Sequence, residues 1–168
     1  ESTDKNTTFP VGTPDLILSM IGTNDLSSNI ELGKPNGDVT TVLGAFSKTC
    51  KELSEYNCRV VHFMIHRGTL PDYCNQLGIT MSQLKEEFRK IAESYGQYFI
   101  PDKYFPEINY RNVSTIFNLT GTWTKDTYDI TGKTDTIHPN AQGMYLIARG
   151  VRKYLEELYV LDKEKRNI

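Results

Sequence analysis

No apolar run in the 168-residue sequence approaches the roughly 20 residues that a bilayer-spanning helix needs. The chain opens at Glu1 without a charged-then-apolar leader, which leads us to expect a soluble product with a processed or trimmed end. Charge of one sign is also lacking: Lys+Arg 19 against Asp+Glu 21 gives a net charge of −2. That balance leaves no broad basic field to hold a phosphate backbone and excludes nucleic acid as an expected partner. Cysteine is scarce. Cys50, Cys58 and Cys74 have no CxxC spacing and no histidines at zinc-finger spacing, so a structural metal finds no support, and their odd number leaves at least one unpaired within the chain.

What is present fits one folded unit. Hydrophobic residues make up 38% and charged residues 24%, too apolar and too nearly neutral for a disordered chain. The length suits a single domain over residues 1–168, and no internal repeat divides it. Asn6-Thr7-Thr8, Asn112-Val113-Ser114 and Asn118-Leu119-Thr120 match the glycosylation acceptor pattern, a slight tilt toward a secreted protein, although such triplets also arise by chance in a Thr- and Asn-rich chain.

Apolar runs alternate with helical periods. Leu16 to Ile21 reads as a strand buried on both faces, and Gly22 through Gly37 as a turn-rich connection. Asp38 can cap a helix whose stripe is Val39, Val42, Leu43, Phe46, Cys50 and Leu53. Val60 to Ile65 reads as a second strand, with His62 a hydrogen-bonded core residue rather than a ligand. Thr80 can cap a helix with Met81, Leu84, Phe88, Ile91, Ala92 and Tyr95 inward, and Tyr98 to Ile100 gives a third strand ended by Pro101. Residues 101–137 show no clean period and read as a long functional loop. A last helix begins near Asn140, with Met144, Ile147, Ala148, Val151, Leu155 and Leu158 on one face. Such alternation implies right-handed crossovers and a parallel sheet with helices on both sides.

Ligands in open α/β sheets bind beyond the carboxyl ends of the strands, and the first such end is Gly22-Thr23-Asn24-Asp25. Gly22 permits a sharp turn, Asn24 can aim its side-chain N–H at a developing oxyanion, and Asp25 can brace the loop through backbone hydrogen bonds. An ordinary strand-ending turn uses the same residue types. Just ahead of the last helix stands Asp135-Thr136-Ile137-His138-Pro139. Two intervening residues in a bent loop let the carboxylate reach the imidazole Nδ1–H, which orients a general base; a histidine capping or packing locally is the alternative. His66 and Arg67, at the same sheet edge, are candidates for substrate contact. Tyr110, Trp123 and Tyr128 can line a pocket or cover the core.

Together, Gly22-x-Asn24-Asp25 after a strand and Asp135-x-x-His138 before the final helix resemble the third and fifth conserved blocks of SGNH/GDSL hydrolases. Pro14-Asp15-Leu16-Ile17-Leu18 before one block and Pro139-Asn140-Ala141-Gln142-Gly143 after the other extend the resemblance from about residue 14 to the last helix. The resemblance implies a flavodoxin-like three-layer α/β/α fold with strand order 2-1-3-4-5, incomplete in this chain because the first strands are missing. It also implies a G-D-S nucleophile after the first strand. No serine here stands in G-D-S or G-x-S-x-G, and Ser27 and Ser28 read as turn residues.

The implied activity is carboxylic-ester hydrolysis through an acyl-enzyme, without metal or organic cofactor. His138 is base and then acid, Asp135 its orienter and Asn24 an oxyanion donor, with Gly22 and Asp25 supporting the loop. The serine then comes from an upstream fragment of the same protein, docked beside Leu16 to Ile21. Without it an apolar strand edge is exposed, so residues 1–168 alone are expected to fold poorly. The substrate class is a small ester, either acyl or an acetylated carbohydrate. A binding module that keeps the pocket without cleaving its ligand is the rival; the absent serine favours it, and the Asp135/His138 pair with Asn24 opposes it.

Overall fold

The computed structural model describes residues 14–66, 70–116 and 138–166. Strands β1 (Leu16–Met20), β2 (Arg59–Phe63) and β3 (Tyr98–Phe99) form a parallel sheet in the order β1-β2-β3. The register sets Leu18 beside Val61 and Met20 beside Phe63 on β2, and His62 beside Phe99 on β3. Because side chains alternate, the central strand β2 faces two cores. On one face Val61, Phe63 and Ile65 pack with Ile147, Val151 and Leu158 of helix α5 (Ala141–Arg166). On the other, Met64 and Phe99 pack with helices α2 (Val42–Leu53) and α3 (Met81–Ser94). The layers expected from the alternation are therefore present.

Helix α3 follows its sequence signals. Thr80 Oγ1 accepts from the Gln83 backbone N–H at 3.1 Å, satisfying one otherwise orphaned donor, and Met81, Leu84, Phe88, Ile91 and Ala92 are buried. Helix α2 starts later than expected. Asp38 Oδ1 accepts from the Thr40 N–H at 2.9 Å and closes a turn, so Thr41 occupies the cap position and Val39 stays exposed. The stretch after β3 also holds more structure than its irregular composition suggests, with 3-10 turns at Asp102–Tyr104 and Tyr110–Asn112 and a short helix, α4 (Val113–Ile116). The remainder of that stretch, 117–137, lies outside the described residues.

His62 is a core residue, as expected. Its ring is fully buried, with Nε2 2.8 Å from Gln97 Oε1, while Gln97 Nε2 donates to the Cys50 carbonyl at 2.7 Å. That amide orientation leaves Oε1 as an acceptor, so the ring carries its proton on Nε2, and Nδ1 is buried without a hydrogen-bond partner among the described residues. Charging the ring would place a second N–H where no group of the described residues accepts it, and burial lowers the His62 pKa below its ordinary value, against a smaller opposing effect of Gln97. The unfolded chain therefore takes up a proton below about pH 6.5 before the folded one does, and stability should fall as pH drops through that range. Urea unfolding between pH 7.5 and 5 checks this. Wild type should lose more stability than His62→Gln, by up to about 1.4 kcal/mol per pH unit; equal slopes would remove His62 as the cause.

Strand β1 departs from its expected burial on both faces. Leu18 and Met20 are 47% and 53% exposed, and among the described residues β1 has one neighbouring strand, β2. The register turns Leu16, Leu18 and Met20 to the α5 side, where α5 covers Phe63 but not β1. The α5 stripe is rotated accordingly. Leu146, Ile147, Val151 and Leu158 are buried, whereas Met144 and Ala148 stand at the margin nearest β1.

Candidate functional site

Beyond the carboxyl end of β1 lies a cavity of about 350 Å³ whose lining includes Gly22, Asn24, Asp25 and His138. Residues separated by more than a hundred positions in the chain meet there, at the edge of the sheet where α/β folds bind ligands. Met20, Thr23 and Ile65 complete much of the wall. These three carried no chemical signature of their own. Their placement follows from strand ends and register, which motif reading does not supply.

Gly22 allows the chain to leave β1. Its φ of +88° is left-handed, and an added Cβ would stand 2.7 Å from Phe88 Cε2 and 2.9 Å from Met64 Sδ. Both conformation and space therefore require glycine. The next residues do not form an open turn as expected; Thr23–Ser27 is a helical turn, α1, anchored by fully buried Leu26. The Asn24 backbone carbonyl holds it together, accepting from Ser27 Oγ at 2.8 Å and from the Ser28 N–H at 2.9 Å. Ser27 is thus a turn residue, as read from sequence. The Asn24 side chain is exposed on the cavity wall. Asp25 also lines the cavity, and no hydrogen bond from it to the loop backbone is found among the described residues.

His138 is set by the start of α5. Asn140 Oδ1 accepts from the Gly143 N–H at 2.9 Å, a helix cap, and Asn140 Nδ2 and N donate to the carbonyls of Thr115 and Ile116, each at 2.9 Å. The end of α4 is thereby tied to the first turn of α5, with His138 and Pro139 leading into it. The close approach needs a glycine: a Cβ on Gly143 would stand 2.2 Å from the Ile116 carbonyl oxygen. Gly143→Ala should cost roughly 1–3 kcal/mol, the scale of overpacking, measurable by urea unfolding. Unchanged stability would show that this contact yields freely.

Asp135, the expected orienter, lies outside the described residues, as do Arg67, Trp123 and Tyr128. His66 is half-buried with its ring 6.4 Å from that of Tyr110, but neither lines the cavity. Among the described residues no three His, Cys, Asp or Glu side chains gather as metal ligands, and no helix is long and apolar enough to cross a membrane. Cys50, Cys58 and Cys74 are all free thiols, and burial pushes Cys50 up to about 12.

Residues 8–151 match the family described as GDSL-like Lipase/Acylhydrolase. A protein of Lactobacillus plantarum of known crystal structure superposes with a TM-score of 0.65 at 20% identity, over 88% of this chain and 70% of that one. That likeness supports the fold. No curated protein matches the sequence.

Proposed function

Because this chain belongs to the GDSL-like lipase/acylhydrolase family, we propose that it supplies most of the active site of a carboxylic-ester hydrolase whose serine nucleophile comes from a segment outside residues 1–168. The observation that carries the reading is the convergence of Asn24 and His138 on one cavity at the carboxyl end of β1. His138 takes the serine proton as oxygen attacks the ester carbonyl, then returns it to the leaving alcohol. Water repeats the sequence on the acyl-enzyme. Asp135, three positions before His138 in a D-x-x-H spacing, holds the ring by its Nδ1–H. The Asn24 amide donates to the tetrahedral oxyanion. The substrate is a small acyl ester or an acetylated carbohydrate, and none of these steps calls for a metal or an organic cofactor.

A fluorophosphonate that labels activated serines tests this in the protein purified from its natural source. The adduct should fall on a G-D-S serine outside residues 1–168, and p-nitrophenyl acetate hydrolysis should disappear with labelling. An adduct on Ser27, Ser28 or another serine of this chain would overturn the assignment. A protein that neither hydrolyses the ester nor takes the label would favour the non-catalytic binding module.

A further inference from the structure

The only Asn-Gly pair of the sequence, Asn36-Gly37, lies in the loop that joins α1 to α2. Asn36 is exposed with a left-handed φ of 57°, and it follows Pro35 in a turn closed by the Gly37 N–H, which donates to the Lys34 carbonyl at 3.1 Å. A Cβ at position 37 would stand 2.9 Å from that carbonyl oxygen, so the turn favours glycine there. The same lack of a side chain leaves the Gly37 nitrogen unscreened beside the Asn36 amide. Two hydroxyls hold that amide. Asn36 Oδ1 accepts from Tyr95 OH at 2.7 Å and from Ser47 Oγ at 2.8 Å. Each hydroxyl has a single hydrogen, so with both directed at Oδ1 the 3.3 Å contact between them carries none, and the two lone pairs of Oδ1 are filled. Ser47 is buried on α2 and Tyr95 caps the end of α3, so the pair tethers the loop to two helices.

We propose that Asn36 is a latent modification site, where the chain converts itself to aspartate and isoaspartate whenever Ser47 and Tyr95 release the side chain. In the reaction the Gly37 nitrogen gives its proton to solvent and attacks Cγ of Asn36. The bond from Cγ to the side-chain nitrogen breaks, ammonia leaves, and a five-membered succinimide remains. Water opens that ring at either carbonyl, giving aspartate by one route and, with the main chain now running through the side-chain carbons, isoaspartate by the other. Nothing is oxidised or reduced. Ring closure requires the Gly37 N–H to leave the Lys34 carbonyl and Asn36 to turn Cγ onto that nitrogen, which draws Oδ1 away from hydroxyls anchored on α2 and α3. A net hydrogen bond between neutral groups corresponds to roughly two- to tenfold in population, so the two hydroxyls withhold the reactive geometry by about one order of magnitude or more. An opposite effect competes, because donors on Oδ1 also polarise the carbonyl in the manner of an oxyanion hole. Such help requires donors aimed at the oxygen of the tetrahedral intermediate, whereas these meet the oxygen of the planar amide, and holding therefore wins. The two products differ in consequence. Aspartate accepts from the same hydroxyls and tolerates the left-handed backbone, so it keeps the tether; isoaspartate lengthens the main chain by one carbon and loses it.

The complete protein, incubated in mildly alkaline buffer, is sampled over days and digested, and the peptide holding Asn36 is resolved into asparagine, aspartate and isoaspartate forms by chromatography and mass spectrometry. Conversion of wild type should be about tenfold or more slower in buffer than in unfolding urea at the same pH. Tyr95→Phe and Ser47→Ala, each of which removes one hydroxyl, should speed conversion of the folded protein by roughly two- to tenfold, and the double variant by more than either. Gly143→Ala is the control for stability. It strains the α4–α5 contact and leaves the Asn36 hydrogen bonds in place, so it should not speed conversion. Asn36→Asp should melt close to wild type, since the carboxylate keeps both hydroxyls. Equal rates for the wild type in buffer and in urea would overturn the proposal, as would unchanged rates in both hydroxyl variants. Slower conversion in those variants would mean that the hydroxyls activate the amide rather than hold it. Equal acceleration by Gly143→Ala would trace the reaction to global unfolding, and a large loss of melting temperature in Asn36→Asp would overturn the tolerance of the aspartate product.

Discussion

Replacing His138 by alanine should lower ester turnover of the complete enzyme by a factor on the order of 10⁴–10⁶, the scale of losing the base from a serine triad. Two features of the structure make this a clean measurement. His138 is exposed at the cavity wall and precedes the first turn of α5, so truncating it empties no core position. The cap that fixes the helix start belongs to Asn140, and its bonds to Gly143, Thr115 and Ile116 do not pass through the imidazole. Melting temperature should therefore stay near that of wild type while turnover collapses. Asp135→Asn should cost roughly 10⁴ by favouring the wrong tautomer, and the double variant should be no slower than His138→Ala. That non-additivity is the signature of two residues acting as one unit. Near-full activity in folded His138→Ala would remove the base assignment, and additive losses would separate Asp135 from it.

Much of this arrangement could be read from residue order because the signals were local. Thr80 and the Met81, Leu84, Phe88 and Ile91 spacing define α3 from cap to inner stripe, and the apolar runs at Leu16 and Val60 give the strands. What escaped depended on distant partners. Asn, Asp and Ser after Gly22 read as an open turn, yet burial of Leu26 against the α2 and α3 core makes them a helical turn. Asp38 had the chemistry of a helix cap, but Thr40 was the nearer donor. A nearly continuous apolar β1 predicted cover on both faces, whereas cover depends on which neighbours are present rather than on the strand. The site divides in the same way. Gly22, Asn24 and His138 stand in two motifs that point to one site only when taken together, while Met20, Thr23 and Ile65 become cavity wall only through the placement of the strand ends. Asp25, read from sequence as a brace of the loop, lines the same cavity.

Asn24 separates a catalytic reading from a structural one more sharply than its residue type allows. Asparagine after a strand often closes the turn with its side chain, and on that reading Asn24→Ala would lower stability and spare the activity of the folded fraction. Here the turn is closed by the Asn24 backbone carbonyl, which accepts from Ser27 Oγ and the Ser28 N–H and remains in any variant. The side chain is exposed at the cavity wall, so its loss should leave melting temperature nearly unchanged. If its amide meets the tetrahedral oxyanion, it helps the transition state more than the ground-state carbonyl, and its removal should appear in kcat with little change in KM. The expected loss is about 10²–10³, or roughly 3–4 kcal/mol, the scale for one oxyanion donor. Asn24→Asp should be at least as slow, because a carboxylate supplies no donor and repels the developing negative charge. Measuring kcat, KM and melting temperature for both variants of the complete enzyme decides the matter. Reduced stability with kcat intact would return Asn24 to the turn, and a rise in KM alone would make it a ground-state binding contact.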